Sequence, residues 1–231
     1  MAKKQYFCII DTETTIENHV ADFGALICDR QGNIVKECAV FVGDFAKEQL
    51  FHDPKANDIW GYAGLQKRTA AYKKMLAEGT RMLASVSAIN RWLEKANAEF
   101  SPTMTAYNLA FDVDKMQNSG IDTSMMQNRF CLWQAAVGMF ANTKAYKRFV
   151  LANHLFNAPT KFGNMTYKTN AECMSSFVSG QMLPPEPHTA IEDAKFYELP
   201  ILVDIVKRKN WKEKIVAYDW HKHQVRDNFT V

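Results

Sequence analysis

At 231 residues the chain suits one large domain, because domains commonly run to about 100 to 200 residues and α/β domains reach about 250. A composition that is 47% hydrophobic and 23% charged argues against disorder, and a net charge of +3 does not by itself select a nucleic-acid partner, which needs a clustered basic surface. The five cysteines (Cys8, Cys28, Cys38, Cys131 and Cys173) are odd in number and form no CxxC pair, which argues against a zinc ribbon or a disulfide framework and for a reducing compartment.

Met1 to Gln5 leads into an apolar run of about six residues that stops at Asp11, too short for a signal-peptide core or a membrane span. A cytoplasmic protein with no membrane partner is expected, in the host cytoplasm if the product is viral. Without a secretory signal, the glycosylation patterns at Asn164-Met165-Thr166 and Asn228-Phe229-Thr230 read as chance matches. Strands are expected at Tyr6 to Ile10, Val20 to Cys28 and Ile34 to Val42, with Asp29-Arg30-Gln31-Gly32-Asn33 as the turn between the last two, which makes an antiparallel meander. From about Leu65 to Phe100, positions such as Val86, Ile89, Leu93 and Ala96 recur at helical spacing, and two helices are expected. Pro102 to Tyr107 reads as a strand and Phe111 to Asn118 as a helix closed by Gly120. Further helices are expected at Leu132 to Phe140, Ala145 to Leu155, Asn170 to Ser179 and Thr189 to Lys209, the last kinked or broken near Leu199 because Pro200 removes a hydrogen bond. Asn157 to Tyr167 reads as a loop. Residues 1–209 form one expected domain and 210–231 a tail or packed extension, with His221 and His223 on a solvated tail.

Asp11 and Glu13 lie two apart at the end of the first strand, and strand alternation turns residues i and i+2 to the same face. Two carboxylates there make half a site for a hard divalent cation, although one such pair is expected by chance in a chain with 25 acidic residues. Asp112 follows the Pro102 to Tyr107 strand; taken alone it reads better as a helix-start acid, with Asn108 as a cap and Phe111 as a core anchor. His188 and Asp193 sit where a proline-rich segment gives way to a helix. With Thr189 as N-cap, Glu192 completes a capping box, which leaves His188 just outside the helix and Asp193 one turn inside it. A histidine in that place can accept a proton from water at neutral pH.

Taken together, Asp11-Thr12-Glu13-Thr14-Thr15, Asn108 to Asp112 and His188 followed by Asp193 resemble the three motifs of the DEDDh family, the DnaQ-like 3′-to-5′ exonucleases. Ala21-Asp22-Phe23-Gly24-Ala25 resembles that family's second strand, and the similarity spans about residues 5 to 205. Ile16 stands where many members have glycine and Asp22 where many have glutamate, and the inserts at 44–100 and 131–182 match no one subfamily. The resemblance implies an α/β fold with a ribonuclease H-like mixed sheet, an antiparallel opening meander and flanking helices. It also implies two Mg²⁺ or Mn²⁺ ions about 4 Å apart that clamp a scissile phosphate, held by Asp11, Glu13, Asp112 and Asp193, with His188 as general base. Thr12, Thr14, Asn108, Leu109 and Phe111 would then hold the terminal nucleotide. The implied activity releases nucleoside 5′-monophosphates from the 3′ end of single-stranded DNA. The alternatives are an exoribonuclease of the same family acting on RNA 3′ ends, and a catalytically silent nucleic-acid-binding protein; a replication or repair partner is not specified by the sequence. Basic and aromatic residues at Tyr146-Lys147-Arg148-Phe149 and Lys207-Arg208-Lys209-Asn210-Trp211 could contact nucleic acid, but read better as solvated helix faces.

Overall fold

The first strand of the chain lies inside the sheet. In the computed structural model, which describes residues 4–225, β1 (Tyr6–Thr14) pairs antiparallel with β2 (Val20–Asp29), and β2 pairs antiparallel with β3 (Ile34–Val42). The turn between β2 and β3 is built as its chemistry dictates: Asp29 Oδ1 accepts from the backbone N–H of Gln31 and Asn33, and Gly32 takes a φ of +87°. On its other side β1 pairs in parallel with β5 (Thr103–Ala106), which pairs in parallel with β6 (Arg129–Cys131). A further strand, β4 (Met82–Ala84), lies parallel to β3 at the far edge, so the six-stranded mixed sheet runs β4-β3-β2-β1-β5-β6. The sequence reading missed β4 and β6 because three residues are too few to show a period.

Helices flank the sheet. α1 (Tyr62–Ala77) and α2 (Val86–Phe100) are the two helices expected between Leu65 and Phe100, and Ser85 caps α2 by accepting from Ala88 N at 3.2 Å. After β5 comes α3 (Leu109–Asn118), and Gly120 follows with a φ of +74°. α4 (Leu132–Ala136) runs on as a π turn, Val137–Ala141, before α5 (Lys144–Ala152) and α6 (Ala171–Ser179). The last helical stretch is α7 (Ala190–Asp193), a π turn (Ala194–Glu198) and α8 (Leu199–Val206). Instead of a break at Pro200, the helix changes winding just before it. The proline cannot donate to Phe196 O, and Ser175 Oγ approaches that carbonyl at 3.4 Å.

Alternation along β1 separates two cores. Phe7 and Ile9 face Leu26, Cys28 and buried residues of α4, α5, α6 and α8; Cys8 and Ile10 face Phe23, Ala25, Ile27 and buried residues of α2 and α3. Each large apolar side chain so buried contributes about 1.5–3 kcal/mol. All five cysteines are unpaired. Residues 211–225 pack down as an extension: Trp211 meets Phe7 edge-on and Phe130 at a tilt, and His223 is fully buried with Nδ1 donating to Asp219 O at 2.8 Å. The solvated tail expected for His223 is therefore corrected; Tyr167 N donates to His223 O at 2.8 Å and binds the tail to the preceding loop. Tyr146 and Trp211 likewise belong to the core and not to a solvated face, with Tyr146 Oη donating to Lys168 O at 2.7 Å. Among the described residues no helix is long and apolar enough to cross a membrane. The Asn228-Phe229-Thr230 pattern lies outside the described residues.

Candidate functional site

The parity of β1 that buries Ile9 carries Asp11 and Glu13 onto the same face, while Thr12 and Thr14 turn to the other. Directly across from Asp11 on β2 stands Gly24. A Cβ at Gly24 would lie 2.4 Å from Ile191 N, so only glycine lets the start of α7 cross this close to the sheet. Two residues away, Asp22 Oδ2 accepts from Ala190 N at 3.0 Å and pins the same turn. Burial pushes the Asp22 carboxyl up to about 7, even though Arg81 lies beside it and favours the charged form.

His188 precedes α7 with a φ of +56°. A non-glycine residue in the left-handed region costs about 1–2 kcal/mol, so surrounding contacts must hold it. Thr189 is the N-cap residue, as expected, but the capping box does not form. Asp193 Oδ2 accepts from Thr189 N at 3.0 Å, while Glu192 turns away to an ion pair with Arg81 and Thr189 Oγ1 has no partner among the described residues. Arg81, buried between α1 and β4, outcompetes the local cap.

Asp112 arrives from the opposite layer. β5 ends at Ala106, and Asn108 turns the chain with a φ of +86° into α3. Asn108 occupies the N-cap position without a side-chain capping bond. One turn on, buried Asp112 accepts from Thr12 Oγ1 at 2.9 Å, which ties the helix to the outer face of β1.

These elements enclose a cavity of about 620 Å³. Asp11, Glu13, Asp112, His188 and Asp193 all line it, with Thr12, Thr14, Asn108 and Phe111. Phe111 is 43% exposed on the wall and is not the core anchor its position implied. Leu109 is not among the lining residues; it packs against the core beneath α3, where its apolar side chain loses more water. His188 Nδ1 lies 3.7 Å from Glu13 Oε1. Glu13, His188 and Asp193 each bring a ligand atom within 4.8 Å of the others, so this group could hold a metal ion; it is the one such set among the described residues.

Several lining residues were not singled out from the sequence: Glu186, Glu198, Trp60, Asp53 and Asp58. Glu198 is 3% exposed, with Oε1 accepting from Tyr107 N at 3.3 Å and Oε2 without a partner among the described residues. Five residues after Asp193, it would stand about 140° away around an α-helix, but the π turn between them returns it to the cavity. Asp193 Oδ1 and Glu186 Oε1 are also buried and without partners among the described residues. Burial and mutual repulsion raise these carboxyls: Asp193 to about 9 through burial, Glu186 and Glu13, and Glu186 to about 7 mainly through burial. Burial lifts Asp112 to about 7 against the hydrogen bond from Thr12. Asp11 is held well above the usual range by burial and then by Glu198, Asp112, Glu13 and Asp193. Carboxyls crowded in this way, with oxygens that lack partners among the described residues, are suited to cations, which favour their ionised form. No family model and no curated protein matches the chain.

Proposed function

We propose that this chain is a metal-dependent 3′-to-5′ exonuclease of the DEDDh type, built on a ribonuclease H-like sheet and acting on single-stranded DNA ends. The carrying observation is the convergence of Asp11-Thr12-Glu13, Asn108 to Asp112 and His188 to Asp193, far apart in the chain, on one cavity where buried oxygens of Asp193, Glu186 and Glu198 lack partners among the described residues. The sheet order, a three-strand antiparallel meander continued on the β1 side by two parallel strands, is compatible with that fold.

The donor set fits divalent cations. Its carboxylate oxygens are hard ligands of the kind Mg²⁺ and Mn²⁺ take, and cations would compensate negative charge that the fold otherwise leaves buried. Glu13 and Asp193 would hold one ion, and Asp11 with Asp112 would hold the other. Such ions supply Lewis-acid stabilisation of charge on a phosphodiester. Thr12 fixes the Asp112 carboxylate by its hydrogen bond, and Thr189 N fixes Asp193. Glu13, beside His188 Nδ1, stabilises the imidazole as it takes a proton from the attacking water. The exposed ring of Phe111 and the side chain of Asn108 form the wall against which a terminal nucleotide rests.

The grouping of His188 with Glu13 and Asp193 favours a second role, that of cation ligand, for the same histidine. The test of function is a time course on end-labelled single-stranded DNA, duplex DNA and RNA of one sequence, each with Mg²⁺, Mn²⁺ or chelator. Stepwise, metal-dependent shortening of the single-stranded DNA is expected. Preference for RNA would move the reading to an exoribonuclease, and binding without turnover would make the protein a silent nucleic-acid binder.

A further inference from the structure

His188 is met across the cavity by a loop that the chemistry above leaves unused. The loop from Phe51 to Gly61 closes on itself: Asp53 N donates to Trp60 O at 2.8 Å, Trp60 N donates to Asp58 Oδ1 at 2.9 Å and Gly61 N donates to Asp58 O at 3.1 Å. A Cβ at Gly61 would stand 2.1 Å from Ala56 O, so the closure needs glycine there. Its near end is fixed to the strand that carries Asp11 and Glu13, through Phe51 N donating to Thr14 O at 2.8 Å. The same residue is held from α1 by Arg68 Nη2 donating to Phe51 O at 2.7 Å.

This fixed loop presents Trp60. Its ring centroid lies 4.6 Å from that of His188, with the planes at 57°. The Arg68 guanidinium stands 4.8 Å from the Trp60 centroid, and Phe51 meets the ring edge-on at 6.0 Å. A platform for a nucleobase needs a free aromatic face, whereas Trp60 is already engaged by an imidazole, a guanidinium and a phenyl ring. Its contacts suit it to hold a neighbour. The neighbour that needs holding is His188, whose left-handed backbone lies next to the N-cap and whose Nδ1 sits 3.7 Å from Glu13.

We propose that Trp60 is the positioning residue of His188, fixing the imidazole beside Glu13 from a loop anchored to β1 and α1. What His188 then does rests on the exonuclease reading; the Trp60 contact does not. Two measurements test it separately. In the metal-free wild type, nuclear Overhauser contacts are expected between the Trp60 indole protons and His188 Cε1–H, and the latter resonance should move in W60A and return most of the way in W60F. On single-stranded DNA with Mg²⁺, W60A should lose about 10²-fold in kcat with KM little changed, as expected when a reacting group is misplaced by about 1 Å, and W60F should recover most of the rate. Absence of the indole–imidazole contacts in the wild type overturns the proposal even if W60A fails to fold. A raised KM at unchanged kcat also overturns it, because Trp60 would then bind substrate. If the wild type turns over no nucleic acid, the exonuclease reading fails and the resonance measurements alone decide the role of Trp60.

Discussion

Asp11 sits where β1, α3 and α7 meet, among carboxylates that raise one another, and this placement sets what its removal does. Asp11→Ala is expected to abolish nearly all metal-dependent turnover while leaving the fold intact, and the metal-free variant should be at least as heat-stable as the wild type because a buried carboxyl that ionises only against burial and its neighbours is gone. Circular dichroism and single-turnover rates check both halves. His188 calls for a different forecast. As a general base it contributes about 10² to 10⁴-fold, so His188→Ala should lower the rate by that order with cation affinity unchanged. If added metal fully restores the rate, the histidine is a ligand, as its 4.8 Å grouping with Glu13 and Asp193 allows. At this scale much of the site's placement was legible. The i, i+2 spacing put Asp11 and Glu13 on one face, and the proline-rich approach put His188 outside its helix. Glu198 was hidden because a π turn changes which residues share a helix face, and Trp60 was hidden because no period links a loop residue to a histidine far along the chain.

α7 is held against the sheet by small and charged residues, and two substitutions probe that grip. Gly24→Ala places a methyl group 2.4 Å from Ile191 N, which neither backbone can absorb without moving. Overpacking of this kind costs about 1–3 kcal/mol. The displaced α7 carries Asp193, so turnover should fall by about 10², with Asp11, Glu13 and Asp112 untouched; chemical denaturation and rate measurements check the two effects. Arg81→Met removes the buried partner of Asp22 and the anchor of Glu192. Breaking a buried ion pair from one side costs about 3–5 kcal/mol, and a stability loss below about 1 kcal/mol would show that the network contributes little. The elements themselves were mostly readable: the meander, α2, α3 and α6 follow from alternation, helical spacing and capping residues. The capping box was misread because it is a local inference, and Arg81, brought in by tertiary structure, takes Glu192 away from it. The edge strands β4 and β6 are fixed by pairing to β3 and β5, a contact that three residues cannot announce.

Across the whole molecule the site stores repulsion that pH and cations should reveal. Asp112 and Glu186 titrate near 7 and Asp193 near 9 in the fold, against about 3.9 and 4.3 for unfolded Asp and Glu. Each binds its proton more tightly when folded, so its contribution to stability is present below about pH 4 and is lost as pH rises through 7 and on to about 9. The Tm of metal-free protein should therefore fall between pH 5 and 9, and millimolar Mg²⁺ or Mn²⁺ should recover much of the loss by binding the folded state alone. Asp193→Asn should flatten the pH dependence; a Tm indifferent to both pH and cations would contradict the crowded-carboxylate account. Digestion from a 3′ end is tested on three single-stranded DNA substrates of one sequence under Mg²⁺, labelled at the 5′ end where linear: a free 3′ end, a blocked 3′ end, and a closed circle. A ladder shortening one nucleotide at a time from the free 3′ end, with 5′-monophosphates released, is expected, together with protection of the other two. Cutting of the circle at a comparable rate, or equal digestion of the blocked strand, would contradict it.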